Sequence, residues 1–194
     1  QSTKRWDRVI SWVLGLGAFI LYFATISPGL FPGKSAQLVT QALRLTEPPL
    51  PVRPVFTWAI ELWSSLPIFK SALRMNLFSA CCATATVVLL YRLVAFFVFE
   101  TIREELVAER DAWLARFAGV IAAITMATSV PFWQAATRLH YEIFDLMLLL
   151  TSFALLTVYA RTKRLAIPFA AALLYGVGIV ESPLFITCIP LFIL

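Results

Sequence analysis

Six runs without a single Asp, Glu, Lys or Arg dominate this chain: residues 9–26, 75–91, 117–133, 146–160, 165–180 and 182–194. A helix crosses the hydrocarbon with about 20 mainly apolar residues, fewer when polar side chains at its ends reach the interface. A water-soluble helix of that length carries a polar stripe every three to four residues, and these runs carry none. The sequence therefore predicts an all-α polytopic membrane protein with about six transmembrane helices. Composition agrees: 60% of residues are hydrophobic and only 14% charged, against about 25% charged in ordinary soluble domains. A net charge of +5 raises nucleic acid as a partner. The basic residues form no stripe interleaved with stacking aromatics, so nucleic acid is set aside and the lipid bilayer is the expected partner.

Basic residues favour the cytoplasmic side of short loops, and a cytoplasmic N-terminus gives a consistent alternation. Residues 1–8 are then cytoplasmic, with Lys4, Arg5 and Arg8, and 9–194 form the transmembrane domain. A large external loop covers 27–71, a charged cytoplasmic segment covers 100–112, and Arg161, Lys163 and Arg164 mark a second cytoplasmic turn. Ten basic residues fall inside and six outside on this scheme. The first run reads as a retained signal-anchor helix, too long for a typical cleaved signal and followed by no A-x-A site. Gln1 in place of an initiator Met, and Leu194 within an apolar run, suggest a piece of a longer protein. Cys81, Cys82 and Cys188 lie inside apolar runs with no ligand-spaced partner, and His140 is the only histidine. No metal site is expected.

The 27–71 loop departs from lipid-facing filler. Pro28, Pro32, Pro48, Pro49, Pro51 and Pro54 exclude continuous helix at those points. Between them, 35–45 and 55–66 read as two amphipathic interfacial helices, the second carrying Trp58 and Trp63. They would roof a pocket at the outer membrane surface. Gly33-Lys34-Ser35 is not a phosphate-binding P-loop: Gly29 is one residue too close, Pro32 removes a needed N–H, and no strand precedes. The segment 100–111 interleaves acids and bases at helical spacing and reads as a solvated helical extension.

The order of motifs resembles the glycosyltransferase-C superfamily, in particular bacterial multi-spanning relatives of transmembrane protein O-mannosyltransferases. The counterparts run from Pro28 through Lys34-Ser35-Ala36-Gln37 (for D-S-G-E) and Glu47-Pro48-Pro49-Leu50-Pro51 (for H-P-P-G-x-P). Leu73-Arg74-Met75-Asn76-Leu77-Phe78-Ser79 (for R-x-N-L-x-S) follows, then the segment from Trp133 to Glu142, and then Gly176-Val177-Gly178 with Glu181. The resemblance implies an inverting glycosyltransferase that takes sugar from a polyprenyl-phosphate donor and gives it to an acceptor on the external face, in a bacterial inner membrane. The family's acidic positions are degenerate: Lys34 and Gln37 replace its carboxylates, and Glu47 replaces the turn histidine. Lysine is cationic unless buried, and glutamine has no titrating group.

Remaining polar residues supply the candidates. Glu47, Glu142 and His140 are the proton-handling candidates, and Arg53, Arg138, Tyr141 and Glu181 the substrate-binding ones. Arg138 and Glu142 are i,i+4 partners if the helix is continuous, as are Tyr141 and Asp145. An arginine there would hold a lipid-linked phosphate while a carboxylate or imidazole handles a proton. Glu181 and Asp145, ionisable and next to apolar runs, are functional candidates on that ground. The degenerate acids keep a second reading open, a catalytically inactive scaffold that serves as an accessory subunit bound to other membrane proteins.

Overall fold

The computed structural model describes residues 2–29, 34–43, 45, 53–67, 69–102 and 108–190, and every regular element among them is helical. In chain order these are α1 (Ser2–Thr25), α2 (Lys34–Ala42), α3 (Pro54–Ser64), α4 (Ser71–Ile102), α5 (Ala108–Thr128), α6 (Val130–Ala136), α7 (Tyr141–Thr162), α8 (Ala166–Glu181) and α9 (Pro183–Thr187). The central helix is α4, which packs against α1, α5 and α7, while α8 lies on α7 and touches α3.

Polarity is arranged inside out. Trp12, Val13, Ile121, Phe169 and Leu173 are each at least 60% exposed, whereas Asn76, Ser79, Thr86, Asp145, Ser152 and Glu181 are buried. In water that surface would be a large exposed apolar area with nothing to offset it; in lipid it is the favourable arrangement. The chain is a helical membrane protein.

The number of spans is smaller than the apolar runs suggest. Among the described residues three helices are long and apolar enough to cross, at Arg5–Thr25, Ser71–Thr101 and Tyr141–Thr162. A fourth span exists if α5 and α6, bent by 68° at Ser129, count as one. Three to four candidate spans among the described residues therefore replace the expected six. The third run is interrupted because Pro131 has no N–H for the helical ladder; Ser129 adopts an extended conformation and the helix restarts at Val130. With 16 residues, α8 reaches about 24 Å at ~1.5 Å per residue, short of a hydrocarbon core of about 30 Å. Pro183 turns the chain out of helix after Glu181, and α9 has only five residues.

The two short helices expected between 27 and 71 are present as α2 and α3. Of the charged segment 100–112, residues 103–107 lie outside the described residues; α4 ends before them and α5 starts after them.

Buried polar side chains fix the connections at one end of the bundle. Asn76 Nδ2 donates to the Ser27 carbonyl at 2.9 Å, its Oδ1 accepts from Leu139 N at 2.9 Å, and Ser79 Oγ accepts from His140 N at 3.0 Å. One turn of α4 thereby ties down the chain leaving α1 and the link from α6 to α7. These are the Asn and Ser of the R-x-N-L-x-S stretch, and i,i+3 spacing puts both on one face.

Candidate functional site

The site forms where α3, α7 and α8 converge. Pro54 opens α3 at its first helical position, where a missing N–H costs nothing. The next two backbone N–H groups have no intrahelical acceptor. Glu181, at the C-terminal end of α8, supplies both: Val55 N donates to its Oε2 at 2.9 Å and Phe56 N to its Oε1 at 3.2 Å. A carboxylate from another helix thus caps α3, at the N-terminus where negative charge is favoured. Glu181 is 2% exposed, and its burial is tolerated because both oxygens are engaged.

Arg53 occupies the N-cap position of α3 and makes no cap hydrogen bond with its side chain. That side chain turns to α7 instead. Its guanidinium carbon sits 3.7 Å from the centre of the Tyr141 ring, and Nη1 donates to Asp145 Oδ2 in an ion pair. Tyr141 and Asp145, i and i+4 on α7, present one face to the same arginine. Asp145 is 2% exposed; its Oδ1 has no hydrogen-bond partner among the described residues, and Ser182 approaches the same carboxylate from the α8–α9 break. Beneath the polar groups lies an aromatic floor: Phe56 packs edge-on against Phe78, Tyr141 and Phe144 at ring separations of 5.8 to 6.4 Å.

The structure brings together four of the sequence candidates: Arg53, Tyr141, Glu181 and Asp145. His140 and Glu142 lie at the rim; His140 Nδ1 is 3.9 Å from Glu142 Oε2, and the Glu142 side chain is 64% exposed. A pair so exposed contributes little. Arg138 does not share a helical face with Glu142, because α7 starts only at Tyr141. The amides that would extend that helix backwards are diverted, Leu139 N to Asn76 and His140 N to Ser79. Arg138 is half-buried in the α6–α7 link. Gln37 is exposed on α2. Glu47 and the side chain of Lys34 lie outside the described residues.

Asp145 is the residue that sequence reasoning undervalued. An acid one turn into an apolar run, four residues after an aromatic, was a visible signal, but its partner is 92 positions away. Among the described residues no group of three or more His, Cys, Asp or Glu side chains could hold a metal ion.

The comparison with known families decides the lineage. The family described as Protein O-mannosyl-transferase TMEM260 N-terminal domain matches residues 35–194. This chain belongs to that family. No curated protein and no solved structure matches it. The matched region of this O-mannosyl-transferase N-terminal domain takes in α2 from its second residue and α3 to α9, and with them every residue of the Arg53–Asp145–Glu181 cluster.

Proposed function

We propose that the chain is the membrane-embedded part of an O-mannosyltransferase that uses a polyprenyl-phosphate sugar, with Asp145 as the base and Arg53 as the phosphate-holding cation. In this reading the donor phosphate takes Arg53 from Asp145. Asp145 then accepts the proton of the acceptor hydroxyl through Oδ1, the acceptor oxygen bonds to the sugar carbon, and the bond from that carbon to the phosphate oxygen breaks. Arg53 carries the released polyprenyl phosphate through bidentate N–H donors. The observation that carries the reading is the buried Asp145 carboxylate, with Oδ2 paired to Arg53, Ser182 close by, and Oδ1 without a hydrogen-bond partner among the described residues. It supplies the carboxylate missing from Lys34 and Gln37. The basic residues at the other end of the bundle, Arg5, Arg8, Arg92 and Arg161 among them, support a cytoplasmic N-terminal end of α1 by their charge, and in this reading the site faces the external side.

The test is sugar transfer by the full-length protein in lipid, from polyprenyl-phosphate mannose to a hydroxyl-bearing peptide. Asp145→Asn should lower kcat by at least 100-fold, in the range of a lost general base, and Arg53→Gln should raise the donor KM. Glu142→Gln should change neither. Loss on Glu47→Gln with Asp145→Asn unaffected would move the base to the loop.

One observation favours a second reading. Both oxygens of Glu181 cap α3, and Asp145 holds Arg53 against Tyr141, so the two acids already serve the fold. In an inactive scaffold that would be their whole role. Its sign would be a folded wild type without turnover that copurifies in fixed stoichiometry with other membrane proteins.

A further inference from the structure

At the opposite end of the bundle, α1, α4 and α5 enclose a second polar group that the transferase reading does not use. Arg116, 4% exposed, donates from Nε to Asp7 Oδ1 at 2.7 Å and faces the Trp113 ring. Arg92 Nε donates to Ser11 Oγ at 3.2 Å, and its exposed guanidinium has two further nitrogens without a hydrogen-bond partner among the described residues. The Tyr91 hydroxyl lies near Asp7, Arg92 and Arg116 and has no hydrogen-bond partner among the described residues, although Tyr91 is 1% exposed. Buried tyrosine hydroxyls normally find a partner. Arg5 and Arg8, both exposed on the first turns of α1, add two charges of the same sign.

The same three helix faces continue as an apolar cleft. On α1, Asp7 and Ser11 are followed at helical spacing by Leu14 and Ala18; on α5, Arg116 is followed by Ala123 and Ala127; on α4, Tyr91 is preceded one turn earlier by Val87. Leu14, Ala18, Val87, Ala123 and Ala127 line a cavity of about 170 Å³ that is open at Gly17. A Cβ at Gly17 would meet nothing within 4 Å. A cationic head joined to an apolar trough on one stripe matches an amphiphile with an anionic head. The head lies 16 positions along α4 from Asn76, which is about 24 Å at ~1.5 Å per residue, so it belongs to the leaflet opposite the Arg53 site.

We propose that α1, α4 and α5 bind one anionic phospholipid, its phosphate at Arg92 beside the Asp7–Arg116 pair and one acyl chain in the cleft over Gly17. Arg92 supplies the donors that reach the phosphate. Arg5, Arg8 and Arg116 outweigh Asp7 and select a negative headgroup. Tyr91 gives the cluster one more unspent donor beneath the head. The site is independent of the proposed transferase chemistry.

Native mass spectrometry tests this on the full-length protein taken from nanodiscs of mixed phosphatidylglycerol and phosphatidylcholine into mild detergent. The wild type should retain one phosphatidylglycerol. Arg92→Gln should cut that occupancy at least fivefold and remove the preference over phosphatidylcholine; Gly17→Leu, which fills open space, should cut retention of both lipids. Unchanged melting of the two variants in lipid-free detergent would show that loss of lipid is not loss of fold. Equal retention by the wild type and both variants overturns the proposal, as does a wild type that retains no phospholipid, or one whose cleft face is occupied by a copurifying protein.

Discussion

The Tyr22 hydroxyl donates at 3.1 Å to the Ala127 carbonyl, the group that residue 131 would engage if α5 ran on as a continuous helix. Residue 131 is proline, which has no N–H to give. The break between α5 and α6 therefore orphans a carbonyl in the apolar interior, and a side chain from α1 satisfies it. A 68° bend is held by a hydrogen bond from a residue 105 positions away. Trp133 Nε1 to Thr25 Oγ1, at 3.0 Å, fastens the far side of the bend to the same helix.

Tyr22→Phe should then destabilise the bundle by about 1–3 kcal/mol, the usual cost of a buried acceptor left unpaired. In a Pro131→Ala background residue 131 regains an N–H for Ala127, so the cost of Tyr22→Phe should shrink. A double-mutant cycle on thermal unfolding in lipid micelles reads the coupling. Equal costs in both backgrounds would mean that Pro131 is not what leaves Ala127 unpaired.

Asn76 spends its amide in two directions, giving to Ser27 and receiving from Leu139. Asn76→Ala leaves both backbone groups unpaired in a buried setting, for an expected loss of about 2–4 kcal/mol. Asn76→Asp is no conservative change: it keeps the acceptor for Leu139, loses the donor to Ser27, and sets a carboxylate against a carbonyl. It should destabilise at least as much as alanine. A melting temperature for Asp close to wild type would show that the Ser27 contact is dispensable.

The Arg53–Asp145 pair is asymmetric. Its side chains are 20% and 3% exposed, so only the arginine can draw on outside solvent when its partner is removed. Arg53→Gln strands a buried carboxylate and should cost about 3–5 kcal/mol. Asp145→Asn should cost less, because Arg53 keeps its stacking on Tyr141 and can be hydrated. The stability difference between these two variants, measured by chemical denaturation in mixed micelles, is the check; equal losses would place Arg53 as deep as Asp145.

The apolar runs fixed the helices because periodicity and length are local properties of the chain. The two short helices of the 27–71 loop were legible for the same reason, from prolines and amphipathic spacing. The span count was not, because a composition run passes over Pro131 and Pro183 without registering the geometry that they impose. The site was half legible. Arg53, Tyr141 and Glu181 stood out as rare polar residues among apolar ones, yet nothing local says that Glu181 caps a helix 125 positions upstream at Phe56, or that Arg53 reaches Asp145. Arg138 and Glu142 misled for a related reason. Their i,i+4 spacing holds only inside a helix, and Asn76 and Ser79, some 60 positions earlier, capture the amides that this helix would need.

Gly176 and Gly178 look alike in sequence and differ in space. A Cβ at Gly176 would meet nothing within 4 Å, whereas one at Gly178 would fall within the Phe185 ring. That ring is packed there by the turn after Glu181: Ser182 caps α9 by accepting from Leu184 N at 3.4 Å, and the Tyr175 hydroxyl donates to the Phe185 carbonyl. Gly176→Ala should accordingly be neutral or stabilise by about 0.5–1 kcal/mol through helix propensity. Gly178→Ala should destabilise by about 1–3 kcal/mol as overpacking displaces α9. Because Ser182 and Glu181 sit at the same turn, that displacement should also loosen the α3 cap, seen as faster hydrogen exchange at the Val55 and Phe56 amides. Phe185→Ala removes the clash, so Gly178→Ala in that background should cost far less than in the wild type. If alanine at 176 and at 178 melt together, or if Phe185→Ala gives no relief, then the ring is not what requires a glycine at 178.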